Sequence, residues 1–181
     1  LYRFIGPPLH ESYEKFYSFS REQAMQAVSY YREYYEEKGM FENEVYPGIK
    51  QLLRDLIKQG VLCLVATSKP EIYAKKILDY YELSNYFYYI AGANMDGTRT
   101  DKAEVIAYAL KQIPAEYSNK KVLMVGDRSH DIIGAKKNGI DCAGVLFGYG
   151  SREELEEAGA DFVADSVEAV RNIVFLNAAK N

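Results

Sequence analysis

The sequence predicts an α/β fold with a doubly wound parallel sheet and a small helical unit beside it. From Val45 onward, short apolar runs rich in β-branched residues alternate with amphipathic helical segments, and glycine or polar turn residues separate them. Such alternation is typical of a parallel sheet with helices on both faces. Before that point the pattern is helical and contains no strand. We therefore predict a helical unit over residues 1–43 and a sheet domain over residues 44–181.

The helical unit contains two predicted helices. A double proline at residues 7–8 precedes the first helix, residues 9–17. Ser20 and Gln23 form a capping box that opens the second helix, which runs to about Lys38. Gly39 ends it.

The sheet domain consists of helices and strands in turn. Strands are predicted at residues 61–66, 87–92, 122–125, 142–147 and 162–164, and the run 122–125 has the apolar character of a buried strand. Helices are predicted at residues 49–57, 71–81, 103–112 and 166–176, with one more between Ser129 and Gly139 and a short one that Ser151 and Glu154 cap.

Composition excludes several classes of partner. The chain of 181 residues is 48% apolar, enough for a sizeable core, and its net charge of −4 provides no basic surface for nucleic acid or an anionic membrane. No apolar stretch has membrane-spanning length, and the first residues contain no signal-peptide pattern. Cys63 and Cys142 lie in apolar runs, which favours buried thiols over a disulfide or zinc ligands. We therefore expect a cytoplasmic protein.

Two carboxylates follow one predicted strand. Gly126 lets the chain turn sharply out of the strand, so Asp127 lies at the strand's carboxyl end, and Asp131 lies in the first turn of the helix that Ser129 caps. Open α/β sheets bind ligands at this edge, and two hard oxygen donors there suit Mg²⁺. The alternative is that both carboxylates only cap the helix.

Two further polar turns belong to the same predicted edge. After the strand at 61–66, Thr67 offers a hydroxyl, Ser68 a backbone N–H at a helix start, and Pro70 suits the first helical turn, so the segment could hold phosphate oxygens or act as an ordinary cap. Lys102 follows residues 98–101 in a polar loop directly before a predicted helix. It could be a solvated surface charge, but a lysine there opposes the helix dipole, which is a small argument for a functional role.

Thr67, Lys102, Gly126 with Asp127, and Asp131 resemble, in this order, motifs II, III and IV of the haloacid dehalogenase-like hydrolases. Nearly the whole chain is similar to the subgroup that includes phosphoglycolate phosphatase. The similar segments are residues 4–8 for the start of the cap, 46–48 for the return to the core, 66–70 for motif II and 94–102 for the approach to motif III.

This resemblance implies a Rossmann-like core with a helical cap inserted after its first strand. It also implies Mg²⁺-dependent hydrolysis of a phosphomonoester through an aspartyl phosphate. Asp127 and Asp131 would hold the Mg²⁺, while Thr67, the Ser68 N–H and Lys102 would bind phosphate oxygens and stabilise the transition state. Two cap residues, Arg3 and His10, are interpreted as solvated charges rather than substrate ligands, and His130 as a surface residue.

One family motif has no counterpart. Motif I, an apolar strand ending in Asp-x-Asp-Gly-Thr, should precede the cap, whereas this chain opens inside the cap. Residues 96–98 read Asp-Gly-Thr, but Asn94 cannot be the carboxylate nucleophile, and the segment lies directly before Lys102. We expect that the nucleophile lies upstream of Leu1, that the absent strand is central in the sheet, and that these residues alone are inactive and poorly stable.

Three hypotheses follow for the function. The first is a phosphatase acting on a small phosphorylated metabolite such as phosphoglycolate, a nucleotide (as in a 5'-nucleotidase) or a sugar phosphate. The second is a β-phosphoglucomutase-like phosphotransferase. The third is a receiver-like or phosphate-binding module, although receivers carry their acidic pair before the threonine and lysine positions. We expect a monomer or weak homodimer, and the sequence does not name the substrate.

Overall fold

The structure is a computed structural model and describes residues 9–178. A boundary between Glu44 and Val45 divides the chain into two compact units. Arg3 and the predicted start of the cap at residues 4–8 lie outside the described residues.

The first unit is helical. It contains α1 (Leu9–Tyr17), α2 (Arg21–Glu37) and a 3₁₀ turn at Gly39–Phe41. The predicted capping box forms, because Ser20 Oγ accepts from the Gln23 N–H while Gln23 Oε1 accepts from the Ser20 N–H. The helices pack together and bury Ala24 and Val28 of α2, so the unit has a small apolar core.

The second unit alternates helices with parallel strands. The strands are β1 (Leu64–Pro70), β2 (Tyr89–Ala93), β3 (Leu123–Gly126), β4 (Asp141–Val145) and β5 (Phe162–Ala164). The helices are α3 (Ile49–Lys58), α4 (Glu71–Tyr80), α5 (Lys102–Leu110), α6 (Ser129–Lys137), α7 (Arg152–Glu157) and α8 (Val167–Ala178), and 3₁₀ turns occur at Ser84–Tyr86 and Ala115–Tyr117. Every strand pair is parallel, which confirms the predicted fold class.

The strands form two sheets. β1 pairs with β2 in the β1–β2 sheet, and β3, β4 and β5 follow one another in the β3–β5 sheet. β2 and β4 are buried along most of their length, whereas β1 is half-buried throughout and Val125 of β3 is 39% exposed. The prediction of a buried strand at 122–125 is therefore wrong for Val125, because within residues 9–178 a strand pairs with only one side of β3.

Helix α5 links the two sheets. It packs against β1 and β2, where Val105 and Ala109 join Ala91 in an apolar cluster, and it also contacts α6. α6 in turn packs on β3 and β4, so the amino end of α5 lies near the carboxyl ends of β1 and β3. The first residue of α5 is Lys102.

The state of the cysteines and the character of the helices complete the description of the fold. Both cysteines are free thiols, with Cys142 fully buried in β4 and Cys63 partly buried before β1. Among the helices of the described residues, none combines the length and the apolar character that crossing a membrane requires.

Candidate active site

The Asp131 carboxylate contacts both the turn after β3 and the first residue of α5. This carboxylate is only 6% exposed, and its Oδ2 accepts from the backbone N–H groups of Asp127 and Arg128, both at 3.1 Å. Its Oδ1 lies 2.8 Å from the Lys102 Nζ. Gly126 makes room for it, since a Cβ there would lie 2.3 Å from the Asp131 Cβ. Asp131 therefore fixes the turn from β3 into α6 and also pairs with the Lys102 ammonium.

The start of α6 differs from its prediction. The helix begins at Ser129 and Arg128 occupies the N-cap position, so Ser129 is not the cap. The Asp131 carboxylate takes the capping role, because it accepts the N–H of the N-cap residue from the third helical position. The Ser129 N–H donates instead to Glu154 Oε1 at 2.8 Å, and Arg128 Nε donates to the same oxygen at 2.9 Å.

Asp127 is held by the loop that follows β4. Its Oδ2 accepts from the Tyr149 N–H at 2.9 Å. The glycines on either side are required, since a Cβ on Gly148 would lie 2.3 Å from the Asp127 Cβ and one on Gly150 would lie 2.2 Å from the Asp127 carbonyl oxygen. Among residues 9–178, no hydrogen bond engages the Asp127 Oδ1. That oxygen is free to bind a cation.

Lys102 joins the carboxyl ends of the two sheets. Asp101 caps α5 through its side chain, which sets Lys102 as the first helical residue. The Lys102 Nζ donates at 3.2 Å to the carbonyl oxygen of Ala66, after which the pairing of β1 with β2 becomes irregular, and it pairs with Asp131 beyond β3. Its side chain is 15% exposed, so the alternative of a solvated surface charge is wrong.

The turn after Ala66 carries the predicted phosphate-binding hydroxyl. Thr67 directly follows the residue whose carbonyl accepts from Lys102. Its Oγ1 accepts from the Lys69 N–H at 3.2 Å, a local turn that orients the oxygen. Within the part of the chain that the structure describes, no hydrogen bond joins Thr67 or Ser68 to Lys102. The structure thus places Thr67 one residue beyond the carbonyl that Lys102 contacts.

Ser68 lies in a strand and not at a helix start. β1 continues to Pro70, which pairs with Ala93, and α4 begins only at Glu71. The helix therefore begins at Glu71, where it was predicted, but the interpretation of Ser68 as a residue at the helix start is wrong, because Ser68 lies within the extended segment of β1. The role of the Ser68 N–H as a phosphate donor stays a prediction.

Sequence reasoning missed two supports of the site. Burial raises the pKa of Glu154, but hydrogen bonds from the Ser129 N–H and from Arg128 outweigh burial and hold that pKa below its ordinary value. Glu154 lies 25 residues from Ser129, so no local pattern could indicate the contact. The loop around Tyr149 did carry a signal, since a glycine on each side of an aromatic residue directly follows a predicted strand.

The donor set fits part of a Mg²⁺ site. Asp127 has a hard oxygen available, whereas both oxygens of Asp131 are engaged by N–H groups and by Lys102. In the described residues, no group of three or more His, Cys, Asp or Glu side chains is arranged to hold a metal ion. Asp127 would therefore be a direct ligand and Asp131 a positioning group, with further oxygens coming from phosphate and water. Direct metal binding by Asp131 stays a prediction.

The remaining polar candidates make contacts of their own. His130 is exposed in the first turn of α6. His10, in the first unit, lies 3.8 Å from Glu11. In an exposed turn, the Asp96 carboxylate accepts from the N–H and the hydroxyl of Thr98 at 2.9 and 2.7 Å.

Comparison with known proteins identifies consistent relatives. The family described as haloacid dehalogenase-like hydrolase matches residues 1–145. A 5'-nucleotidase of Pseudomonas aeruginosa is 39% identical over 176 residues, which cover 96% of this chain and 78% of the relative. A phosphoglycolate phosphatase of Vibrio vulnificus is 28% identical over 174 residues, covering 96% and 75%.

A kinase and a solved phosphatase structure are also similar to this chain. The tyrosine-protein kinase PtkA of Mycobacterium tuberculosis is 39% identical over 159 residues, covering 88% of this chain and 53% of the kinase, so the chain spans about half of that relative. The crystal structure of a predicted phosphatase from Clostridium acetobutylicum superposes with a TM-score of 0.87 at 43% identity, covering 96% of this chain and 79% of that one.

Proposed function

Because the chain belongs to the haloacid dehalogenase-like hydrolase family and is similar to its phosphatases, we propose that it forms the phosphate- and metal-binding part of a Mg²⁺-dependent phosphomonoesterase. The observation that carries this proposal is the position of Lys102. Its ammonium joins the carbonyl that precedes Thr67 to the carboxylate of Asp131, at the edge where open α/β sheets bind ligands.

The chain's own residues have separable tasks in this reaction. Lys102 and the Thr67 hydroxyl would neutralise the phosphoryl oxygens as charge develops in the transition state. Asp131 would keep the lysine aimed at that point, through the 2.8 Å contact. The free Oδ1 of Asp127 would hold Mg²⁺, which when bound supplies positive charge to offset that of the phosphate.

The nucleophile in this proposal is an aspartate outside these 181 residues, and the product of its attack is an aspartyl phosphate. The exposure and pairing of β1 and β3 support an additional strand that would carry this aspartate. Both strands are partly exposed, and among the described strands each pairs on one side only, although the site lies beside them. A further strand that pairs with them would end near Lys102. Without that strand we expect the chain to be inactive.

The substrate in this proposal is a small phosphorylated metabolite. Relatives named as a 5'-nucleotidase and as phosphoglycolate phosphatases support a nucleotide and phosphoglycolate as candidates, and the nucleotidase is the more similar of the two. Transfer of the phosphoryl group within a sugar is the alternative, and it predicts an isomerised sugar phosphate in place of inorganic phosphate.

A phosphatase screen of the full-length protein with Mg²⁺ tests the proposal. We expect release of inorganic phosphate from at least one nucleotide or small phosphate ester, and a loss of roughly a thousandfold in kcat for Asp127→Asn. Asp141→Asn is the matched control, since Asp141 is exposed at the amino end of β4, and we expect it to leave turnover unchanged. Undiminished Mg²⁺-dependent turnover by Asp127→Asn would remove the metal assignment.

A further inference from the structure

An aromatic cluster lies beside Asp127 in the second unit. It consists of Tyr46 and Phe147, whose rings are in contact, together with Tyr149, which follows Phe147 by two residues, and the phosphate chemistry derived above uses none of their rings. Tyr46 is 44% exposed and Tyr149 is 56% exposed, so both rings offer surface to a ligand. Exposed aromatic rings next to a polar site are suited to hold an apolar, planar part of a substrate.

Tyr46 is fixed by its turn and by its neighbour. The Ile49 N–H donates to the Tyr46 carbonyl oxygen at 3.2 Å, and Gly48 has a φ of 87°, as a type II turn with proline in its second position requires. The Tyr46 ring meets Phe147 edge to face, with centroids 5.3 Å apart and an interplanar angle of 71°. Phe147 packs against the apolar cluster that includes Leu52 and Val145, so Tyr46 rests on the core.

Tyr149 is fixed through its backbone. Its N–H donates to Asp127 Oδ2, and Gly148 and Gly150 pack closely against Asp127 on either side of it. Burial raises the pKa of Tyr46, and Tyr149 and Asp127 raise it further, so the two phenols and the carboxylate lie within electrostatic range of one another. The aromatic cluster and the candidate metal ligand thus share one side of the site.

We propose that Tyr149 and Tyr46 form a stacking platform for the base of a nucleoside 5'-monophosphate whose phosphate binds at Lys102 and Asp127. This inference rests on the proposed function and narrows its substrate class to nucleotides. Every base has a π-face, so such a platform accepts different bases with little discrimination. Phosphoglycolate has no ring that could stack there.

The kinetic test compares AMP with ribose 5-phosphate, which has the same sugar phosphate without the base. For the full-length enzyme we expect kcat/KM to be higher for AMP, and we expect Tyr149→Leu to lower the ratio of the two kcat/KM values by about tenfold, mainly through KM. Tyr149→Phe keeps the ring and should keep most of the ratio. Tyr46→Leu should lower it by a smaller factor, because the Tyr46 ring is less exposed.

Tyr88→Leu is the matched control. Tyr88 is also 56% exposed, but it directly precedes β2 and so lies at the amino end of its sheet. We expect its ratio to equal that of the wild type. Equal losses for AMP and ribose 5-phosphate in Tyr149→Leu, or an unchanged ratio, would overturn the platform while leaving the phosphatase in place.

Calorimetric binding in EDTA separates the two proposals. Without turnover, the wild-type protein should bind AMP more tightly than ribose 5-phosphate, and Tyr149→Leu should remove that difference. Base-dependent binding without hydrolysis of any phosphomonoester in Mg²⁺ would sink the proposed function and keep the platform. Equal binding of the two ligands by the wild type would sink the platform alone.

Discussion

The two sheets of the second unit hold their parts of the site in different ways. At the end of β3, Asp131 and Asp127 accept backbone N–H groups, and glycines fit closely against both carboxylates. In the irregular part of β1, the hydroxyl of Thr67 accepts from the Lys69 N–H in a local turn, and the link to the other sheet is the hydrogen bond from Lys102 to the Ala66 carbonyl oxygen. The carboxylates after β3 are therefore preorganised. The Thr67 segment of β1 is linked to them through the single hydrogen bond from Lys102.

This difference teaches where the site can tolerate change. Preorganised groups lose activity when they move by a fraction of an ångström, because their value lies in fixed geometry. A hydroxyl in a local turn can adjust to the phosphate, so its removal costs a single interaction. Substitutions on the two sides of the site test this contrast.

Removal of the link between the sheets should have the largest effect. Lys102→Met leaves the buried Asp131 carboxylate without its cation, so we expect a loss of about 3 kcal/mol in the free energy of unfolding and of at least about a hundredfold in kcat. Urea unfolding and initial rates measure the two losses. Lys50→Met is the control, because Lys50 pairs with Glu82 on the surface and should cost less than about 0.5 kcal/mol.

The double variant Lys102→Met with Asp131→Asn sharpens this result. If the ammonium and the carboxylate stabilise each other, the double variant should be more stable than the sum of the single losses predicts. Additive losses would mean that the 2.8 Å contact does not couple the two sheets.

A clash on the preorganised side should have the next largest effect. Gly148→Ala brings a Cβ to 2.3 Å from the Asp127 Cβ, so the loop or the carboxylate must move, and we expect a loss of about 2 kcal/mol in stability together with most of the activity. Thermal unfolding and phosphate release measure both. Gly60→Ala, which strains a backbone with φ 75° but meets no atom within 4 Å, should lower stability by about 1 kcal/mol with no effect on kcat.

Loss of the hydroxyl on the β1 side should have a moderate effect. Thr67→Val keeps the shape of the side chain and removes one donor to the phosphate, so we expect about a tenfold lower kcat/KM and less than about 1 kcal/mol of destabilisation. Thr98→Val, in an exposed turn, is the control and should leave kcat/KM unchanged. A loss as large as that of Lys102→Met would contradict the contrast between the two sheets.

The ion pair between Lys136 of α6 and Asp161, directly before β5, should give the smallest effect. The hydrogen bond from Lys136 holds the pKa of Asp161 below its ordinary value, and the Cys142 N–H adds to it. A lowered carboxyl pKa stabilises the folded state above the unfolded pKa of about 3.9, and the gain is lost as the pH falls through the folded pKa. Because the Lys136 and Asp161 side chains are 41% and 32% exposed, we expect less than about 1 kcal/mol.

Urea unfolding of the wild type and of Asp161→Asn between pH 7 and pH 3 measures this contribution. The stability difference between the two proteins should be present at pH 7 and should shrink below about pH 4. A difference that grows toward low pH would have the wrong sign for a lowered pKa.

Local patterns predicted the elements better than the contacts between them. The capping box at Ser20 and the strand Phe162–Ala164 form at the predicted positions, because their signals are local. The helix after β1 begins at Glu71 as predicted, but β1 extends beyond its predicted end at residue 66 to Pro70, which pairs with Ala93 of β2 after an irregular stretch. Pairing of this kind is a tertiary effect that no local pattern contains.

The same limit applies to the site. Carboxylates at a strand end and a lysine at a helix start are visible in one sequence, so the nearness of Asp131 and Lys102 could be expected. The contacts of Glu154 and Tyr149 could not be expected, because these residues lie 25 and 22 residues from the groups they hold. The glycines on either side of Tyr149 indicated a loop, but not the group that the loop contacts. The capping role of Asp131 was one of the two alternatives for this carboxylate, because its contacts to the N–H groups of Asp127 and Arg128 are local.

Each sheet has one free thiol that can be labelled to monitor its opening. Cys142 lies fully buried in β4, next to Asp161, whereas Cys63 is partly buried just before β1, and burial raises the pKa of both. A thiolate-selective reagent should therefore label both thiols slowly, but Cys63 faster than Cys142, which reacts only after its strand opens. The ratio of the two labelling rates would show whether the halves of this enzyme open together or one after the other, without any added probe.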